Sequence, residues 1–123
     1  MNLLLDTNVV IWMLAGAPLT VAARSAIESG DLVYVSAASI WEIAIKTALG
    51  RLISPPDLPE RLLELGIRPL ALEWEHAQVA GDLPPLHRDP FDRMLIAQAV
   101  VEQLTIVTRD VRVQRYDVPT IAA

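Results

Sequence analysis

Four acids in this chain repeat one placement. Asp6 directly follows the apolar run Leu3-Leu4-Leu5, and Asp110 follows Leu104-Thr105-Ile106-Val107-Thr108-Arg109. Glu42 and Asp92 each fall near the start of an apolar helical segment, Ser39-Ile40-Trp41-Glu42-Ile43-Ala44-Ile45-Lys46 and Asp89-Pro90-Phe91-Asp92-Arg93-Met94. Carboxylates brought to one edge repel each other, and at least one pKa rises unless a counter-charge is supplied. Divalent cations supply it. Mg²⁺ and Mn²⁺ are hard ions that prefer carboxylate oxygen and keep several waters. Such an ion lowers the pKa of water and polarises a phosphoryl oxygen, and a pair about 4 Å apart stabilises both the attacking and leaving oxygens of a displacement. That is the chemistry of a phosphodiester hydrolase. Other chemistries lack their residues. Cysteine is absent, which removes disulfides and thiolate metal sites. There is no Gly-rich phosphate loop, no Ser/His/Asp order and no His-rich zinc spacing. His76 and His87 are read as surface residues outside the chemistry.

Each acid also has a plainer reading. Asp6 before a helix is a natural N-cap, and Asp110 after a strand is an ordinary turn or cap. Glu42 stands four residues before Lys46, the favoured orientation of an i,i+4 pair, which predicts a polar stripe facing solvent. Against that, a lone glutamate in an apolar turn is costly unless paired or metal-bound. Asp89 followed by Pro90 is a strong helix start, and Asp92 then suits the helix dipole at the third position. Helix physics alone therefore accounts for Asp89 and Asp92. The repetition of the pattern, rather than any one residue, argues for a site. Asn8, two residues after Asp6, is placed to orient a water or a phosphate.

The elements that must position these acids alternate in type. Asn2–Leu5 reads as a short buried strand, and Thr7–Leu14 as a helix broken by Gly16-Ala17-Pro18. Residues 20–28 form a second helix, stopped at Ser29-Gly30-Asp31. Leu32–Val35 is a β-branched strand, followed by a helix capped by Ser36 or Ser39 and ended at Gly50. Ser54-Pro55-Pro56 is a rigid loop. A helix over 58–65, a strand over 67–70, a helix over 74–80 and a proline-rich loop over 81–90 come next. Phe91–Gln103 is a strongly apolar helix, 105–108 a strand, and 116–119 a last short strand. This alternation predicts an α/β fold with a mostly parallel sheet of about four or five short strands and helices on both faces. In such a sheet, ligands sit outside the carboxyl ends of the strands.

With 123 residues and 53% hydrophobic content, the chain is expected to form one domain over 1–123. Its formal charge of −5 argues against a simple nucleic-acid-binding module, which usually carries a basic surface. The bases are nine arginines and one lysine, with Arg88, Arg93, Arg109, Arg112 and Arg115 in the last third. Arginine favours bidentate contacts to phosphate or carboxylate. The N-terminal segment lacks a basic region followed by a long apolar stretch, so no signal peptide is read. The longest charge-free run, Thr7–Ala23, is broken by Gly16 and Pro18 and falls short of the ~20 consecutive apolar residues a membrane span needs. A cytoplasmic protein is expected.

At these residues the chain resembles the PIN-domain family, specifically the VapC-like toxins of bacterial toxin–antitoxin pairs. The matching segments are Leu3-Leu4-Leu5-Asp6-Thr7-Asn8, Ser39 through Lys46, Asp89 through Ala99, and Val107-Thr108-Arg109-Asp110. They span nearly the whole chain in the family's order and at its usual spacing. The resemblance implies a PIN-like three-layer fold, Mg²⁺- or Mn²⁺-dependent endoribonuclease activity, and inhibition by a small VapB-like antitoxin. It implies metal ligands at Asp6, Glu42 and Asp92, with the fourth family acid at Asp110. Thr7 and Thr108 match positions that help order the site, and Asp89 stays a helix cap. A homodimer is expected, with Trp12, Trp41 and Trp74 as apolar anchors. The antitoxin is expected to lay its C-terminal segment in an apolar groove and offer a basic residue to the acids. Competing readings are a catalytically idle RNA- or protein-binding module and a DNA nuclease of the same mechanism. A haloacid-dehalogenase-type phosphatase needs a second aspartate where this chain has Asn8.

Overall fold

Three consecutive leucines open the fold. In the computed structural model, which describes residues 1–29 and 31–123, Leu3–Leu5 forms strand β1 and has no solvent exposure. A strand turns successive side chains to opposite faces, so Leu3 and Leu5 enter one core and Leu4 the other. Such a run can only be a central strand covered on both sides. The remaining elements follow in order: α1 (Thr7–Leu14), α2 (Val21–Glu28), β2 (Val33–Ser36), α3 (Ala37–Ala48), α4 (Leu58–Glu64), β3 (Arg68–Leu70), α5 (Trp74–Asp82), α6 (Pro90–Glu102), β4 (Thr105–Thr108) and β5 (Thr120–Ala122).

The five strands are parallel, in the order β3-β2-β1-β4-β5. On one face, Leu3, Leu5, Val33 and Val35 pack with Val9, Val10, Ala23, Ile43, Leu58 and Leu62 from α1 to α4. On the other, Leu4 and Ile106 pack with Leu95, Ile96 and Ala99 of α6, closed by Val113 and Tyr116. The expected three-layer α/β arrangement is what forms. No helix among the described residues is long and apolar enough to cross a membrane.

Local differences from the sequence reading have identifiable causes. Ser36, not Ser39, caps α3, its hydroxyl accepting the Ala38 amide at 3.0 Å. Helix α5 runs through Gly81 to Asp82 and stops at Leu83, where Pro84 forces extended backbone on its predecessor. The last strand is Thr120–Ala122, not 116–119. The earlier segment is unsuited to a ladder: Pro119 has no amide to donate, and the Tyr116 side chain is buried against α6. The expected helix stop at Ser29-Gly30-Asp31 includes Gly30, which lies outside the described residues.

Candidate active site

The chain leaves β1 in both directions across the sheet, to β2 and β3 on one side and to β4 and β5 on the other. The carboxyl ends of β1 and β4 therefore flank the switch point, where doubly wound sheets form a crevice. Asp6 stands at one end and Thr108 at the other. The Asp6 amide donates to the Val107 carbonyl at 3.0 Å, and the Thr108 hydroxyl donates to Asp6 Oδ2 at 2.6 Å. Asp6 occupies the N-cap position of α1 but makes no side-chain capping bond. The carboxylate is held by β4 through the Thr108 hydroxyl, with the Asn8 amide at the start of α1 also acting on it, so capping does not account for its placement alone. Burial pushes its pKa up, against the Thr108 hydroxyl, and the charges of Glu42 and Asp110 push the same way.

Glu42 arrives on α3. The buried Thr7 hydroxyl donates to Ser39 Oγ at 2.9 Å, tying the start of α3 to the start of α1. Ser39 and Glu42 are three apart and share a helix face. Glu42 pairs with Lys46 at 2.9 Å, as the plainer reading expects, yet it does not lie on a solvated stripe. Its residue exposure is 8%, and Oε1 has no hydrogen-bond partner. A buried carboxylate oxygen without a partner is expensive, and a cation ligand is what would satisfy it.

Asp92 arrives on α6. Asp89 caps this helix as expected, its Oδ1 accepting the amides of Phe91 at 2.9 Å and Asp92 at 3.3 Å. The Asp92 carboxylate is thus free for another task. Its pKa is pushed up to about 6, first by burial and then by the charges of Asp6 and Asp89, against the contact with His87. Asp110 differs. Burial is the largest single influence and raises its pKa, but the hydrogen bonds and charge of Arg112, together with His87, outweigh it, and the carboxyl sits below its ordinary value. The Arg112 backbone amide and Nε reach Asp110 Oδ1 at 2.8 and 3.2 Å. The Asp110 amide donates to Thr108 Oγ1 at 3.0 Å, so one hydroxyl links the β1 and β4 acids.

His87 corrects the sequence reading, and so does His76. Neither is a surface residue. His76 is buried and completes a capping box at Glu73, while its Nε2 lies 2.9 Å from Glu102. His87 belongs to the acid cluster: Nε2 lies 2.7 Å from Asp92 Oδ2 and 3.7 Å from Asp110 Oδ2. Ligand atoms of His87, Asp92 and Asp110 all fall within 4.8 Å of one another, a spacing that fits one divalent ion. The signal in the sequence was a lone imidazole between an apolar Pro-rich loop and the Asp-Pro helix start. Asn8 is exposed just past Asp6.

The donor set is oxygen-rich, with one imidazole, and it carries more negative charge than its own bases neutralise. The orphaned Glu42 oxygen and the close approach of His87, Asp92 and Asp110 leave room for a cation among these donors. These residues fit Mg²⁺ or Mn²⁺.

Comparison with known proteins agrees with this geometry. The PIN domain profile matches residues 3–119. Ribonuclease VapC22 of Mycobacterium tuberculosis is 32% identical across 96% of this chain and 94% of that protein. Among solved structures, VapBC2 from Rickettsia felis, bound to a DNA fragment from its promoter, superposes with a TM-score of 0.74 at 15% identity, covering 98% of each chain. A toxin–antitoxin complex from Klebsiella pneumoniae superposes with a TM-score of 0.68 at 16% identity, over 97% of this chain and 95% of that one.

Proposed function

Since this chain belongs to the PIN-domain family, we propose that it is a single-domain, Mg²⁺- or Mn²⁺-dependent endoribonuclease, the toxin of a toxin–antitoxin pair. One observation carries the reading. Asp6, Glu42, Asp92 and Asp110 come from four distant segments, and the charges of Glu42 and Asp110 act on Asp6 while that of Asp6 acts on Asp92. Helix capping explains none of this mutual coupling.

In this reading Asp92, Asp110 and His87, whose ligand atoms lie within 4.8 Å of one another, hold the ion, and Asp6 and Glu42, outside that group, complete the acid set. A divalent ion there supplies Lewis acidity toward a phosphoryl oxygen and lowers the pKa of the attacking water. The chain's own groups do the positioning. Thr108 fixes one oxygen of Asp6, and Lys46 holds one oxygen of Glu42 while leaving Oε1 available. His87 orients Asp92, and Arg112 keeps Asp110 ionised. The partner proposed is a small VapB-like antitoxin offering a basic residue to this anionic cluster, which would compete with metal. The Klebsiella structure, a toxin–antitoxin complex of the same fold, supports that choice.

The test is metal-titrated cleavage of matched RNA and DNA by purified protein. RNA cleavage that appears with Mg²⁺ or Mn²⁺ and vanishes in EDTA is expected. Undiminished cleavage in excess chelator would sink the mechanism, and cleavage of DNA alone would move the substrate.

A further inference from the structure

Beside the acids lies a cleft of about 470 Å³ between the second half of α3 and the start of α6, with Glu42 at its inner end. Its rim carries Lys46, Arg51 and Arg88, and Phe91 lines its wall. Resting on the endoribonuclease reading above, we propose that this cleft is the track along which single-stranded RNA reaches the acids. Arg51 and Arg88 would meet its phosphates, and Phe91 would meet a base.

Local structure puts these cations together. Gly50, at φ +71°, ends α3 in a Schellman turn: its amide donates to the Thr47 carbonyl at 3.1 Å, and the Arg51 amide to the Lys46 carbonyl at 2.9 Å. That turn folds Arg51 back beside Lys46. Arg88 comes from the opposite wall, one residue after His87.

Charge, partners and place together select these residues: Arg24, Arg68 and Arg115 are also exposed and unpaired among the described residues, but of the unpaired arginines Arg51 and Arg88 line the cleft. The chain carries a net −5, so an exposed cluster of bases next to acids is against its average. Several other bases are committed internally. Arg61 pairs with Asp57, Arg112 with Asp110, Arg109 stacks on Trp12, and Arg93 serves backbone carbonyls. Among the described residues, Arg51 and Arg88 make no ion pair or side-chain hydrogen bond, and both are exposed. The start of α6 cannot take a phosphate through its amides, because Pro90 has none and Asp89 already caps those of Phe91 and Asp92. Side-chain cations must do it. A concave site with an aromatic wall suits an unstacked base, whereas duplex RNA keeps its bases in the stack. Trp41, edge-on to Phe91 at 5.4 Å between centroids and 62% exposed, extends the aromatic surface outward.

The test uses the full chain and a labelled single-stranded oligoribonucleotide of mixed sequence. Binding is read by fluorescence anisotropy in an Asp92→Asn background, so that the RNA stays intact, and cleavage kinetics are read with Asp92 present. Arg51→Ala with Arg88→Ala should raise KM about tenfold with kcat changed less than about twofold. Loss of two phosphate contacts should make the slope of log K against log salt shallower by about 1.4. The Arg51→Lys, Arg88→Lys pair should keep most of the binding, and Arg24→Ala, on a remote surface, should change nothing. KM and salt slope equal to the parent's would overturn the proposal while leaving the parent's nuclease activity standing. A parent that binds RNA through these arginines yet cleaves none with any divalent ion would uphold the track and defeat the nuclease reading. Unchanged RNA binding alongside lost binding of poly-glutamate would overturn it in favour of an acidic protein partner.

Discussion

Asp92 is under two opposed demands, since burial beside other acids raises its pKa to about 6 while metal chemistry needs it ionised. The folded protein therefore holds this proton more tightly than the unfolded chain, whose value is near 3.8. Stability from this group is fully present below about pH 4 and is lost as pH climbs through about 6. The raised Asp6 acts in the same direction. Metal-free protein should thus lose stability between about pH 4 and about pH 6, measured by urea unfolding, and Asp92→Asn should flatten that loss. At pH 7 the Asn variant should be the more stable by on the order of 1 to 2 kcal/mol, after allowing for partial screening by solvent. Mg²⁺ or Mn²⁺ should stabilise the parent and not the variant. A less stable Asn variant at pH 7 would contradict the account of the repulsion.

Activity should move the other way for the same residues. Asp6→Asn, Glu42→Gln and Asp92→Asn should each lower RNA cleavage by on the order of a thousandfold, about 4 kcal/mol of barrier. Asp110→Asn should cost less, because that carboxylate is the most exposed of the cluster and is already partnered by Arg112. Asp89→Asn should cost little, since Asn caps a helix as well. Essential Asp89 with dispensable Asp92 would reverse the assignment of this helix start. Circular dichroism should show all five variants folded.

At the scale of elements, the loop between α5 and α6 decides where His87 stands. Arg93 spans it from α6, donating to the carbonyls of Ala80 at 2.8 Å, Leu83 at 3.0 Å and Pro84 at 2.9 Å. The Tyr116 hydroxyl accepts the His87 amide at 2.9 Å and donates to the Pro84 carbonyl at 3.0 Å. These two side chains replace the ladder that a proline-rich loop cannot make. Arg93→Ala should cost about 2 to 4 kcal/mol in urea unfolding, and Arg93→Lys should rescue little, because an ammonium lacks the planar fork. Tyr116→Phe should cost about 1 to 2 kcal/mol and also weaken Mn²⁺ binding, since His87 would lose its fixed place beside Asp92. Unaltered Mn²⁺ affinity in Tyr116→Phe would separate the loop from the site.

For the whole molecule, the expected dimer anchors divide. Trp12 is partly buried against the α1–α4 core, and the Arg109 guanidinium stacks 4.0 Å from its ring centroid, so it is used within the chain. Trp74 is 91% exposed and Trp41 62%, and Ile53, Leu63 and Leu65 are also largely uncovered. These exposed apolar residues are the ground on which we propose a homodimer. A dimeric mass by light scattering at micromolar concentration, without antitoxin, is expected. A monomer under those conditions would count against the homodimer.

The sequence by itself determined the elements and their order. Consecutive leucines, β-branched runs and Pro, Gly, Ser and Asp at segment ends act locally, so β1, α1, α3, α6 and β4 are legible within a residue or two, and so is Asp89 as a cap. It also marked Asp6, Glu42, Asp92 and Asp110 by repetition, with the family resemblance turning the pattern into a site. Only tertiary structure decided what those acids touch. The Thr108 hydroxyl on Asp6 joins residues 102 positions apart, and the orphaned Glu42 oxygen is buried by packing that its own helix does not report. His87 was misread for the same reason. Its burial comes from Arg93 and Tyr116, 6 and 29 positions away, and no local pattern reports an environment built by such distant partners. The RNA track was invisible too, since Arg51 and Arg88 become neighbours only when α3 and α6 pack together. Propensity and capping are short-range and written along the chain; burial, electrostatic coupling and clefts are sums over space.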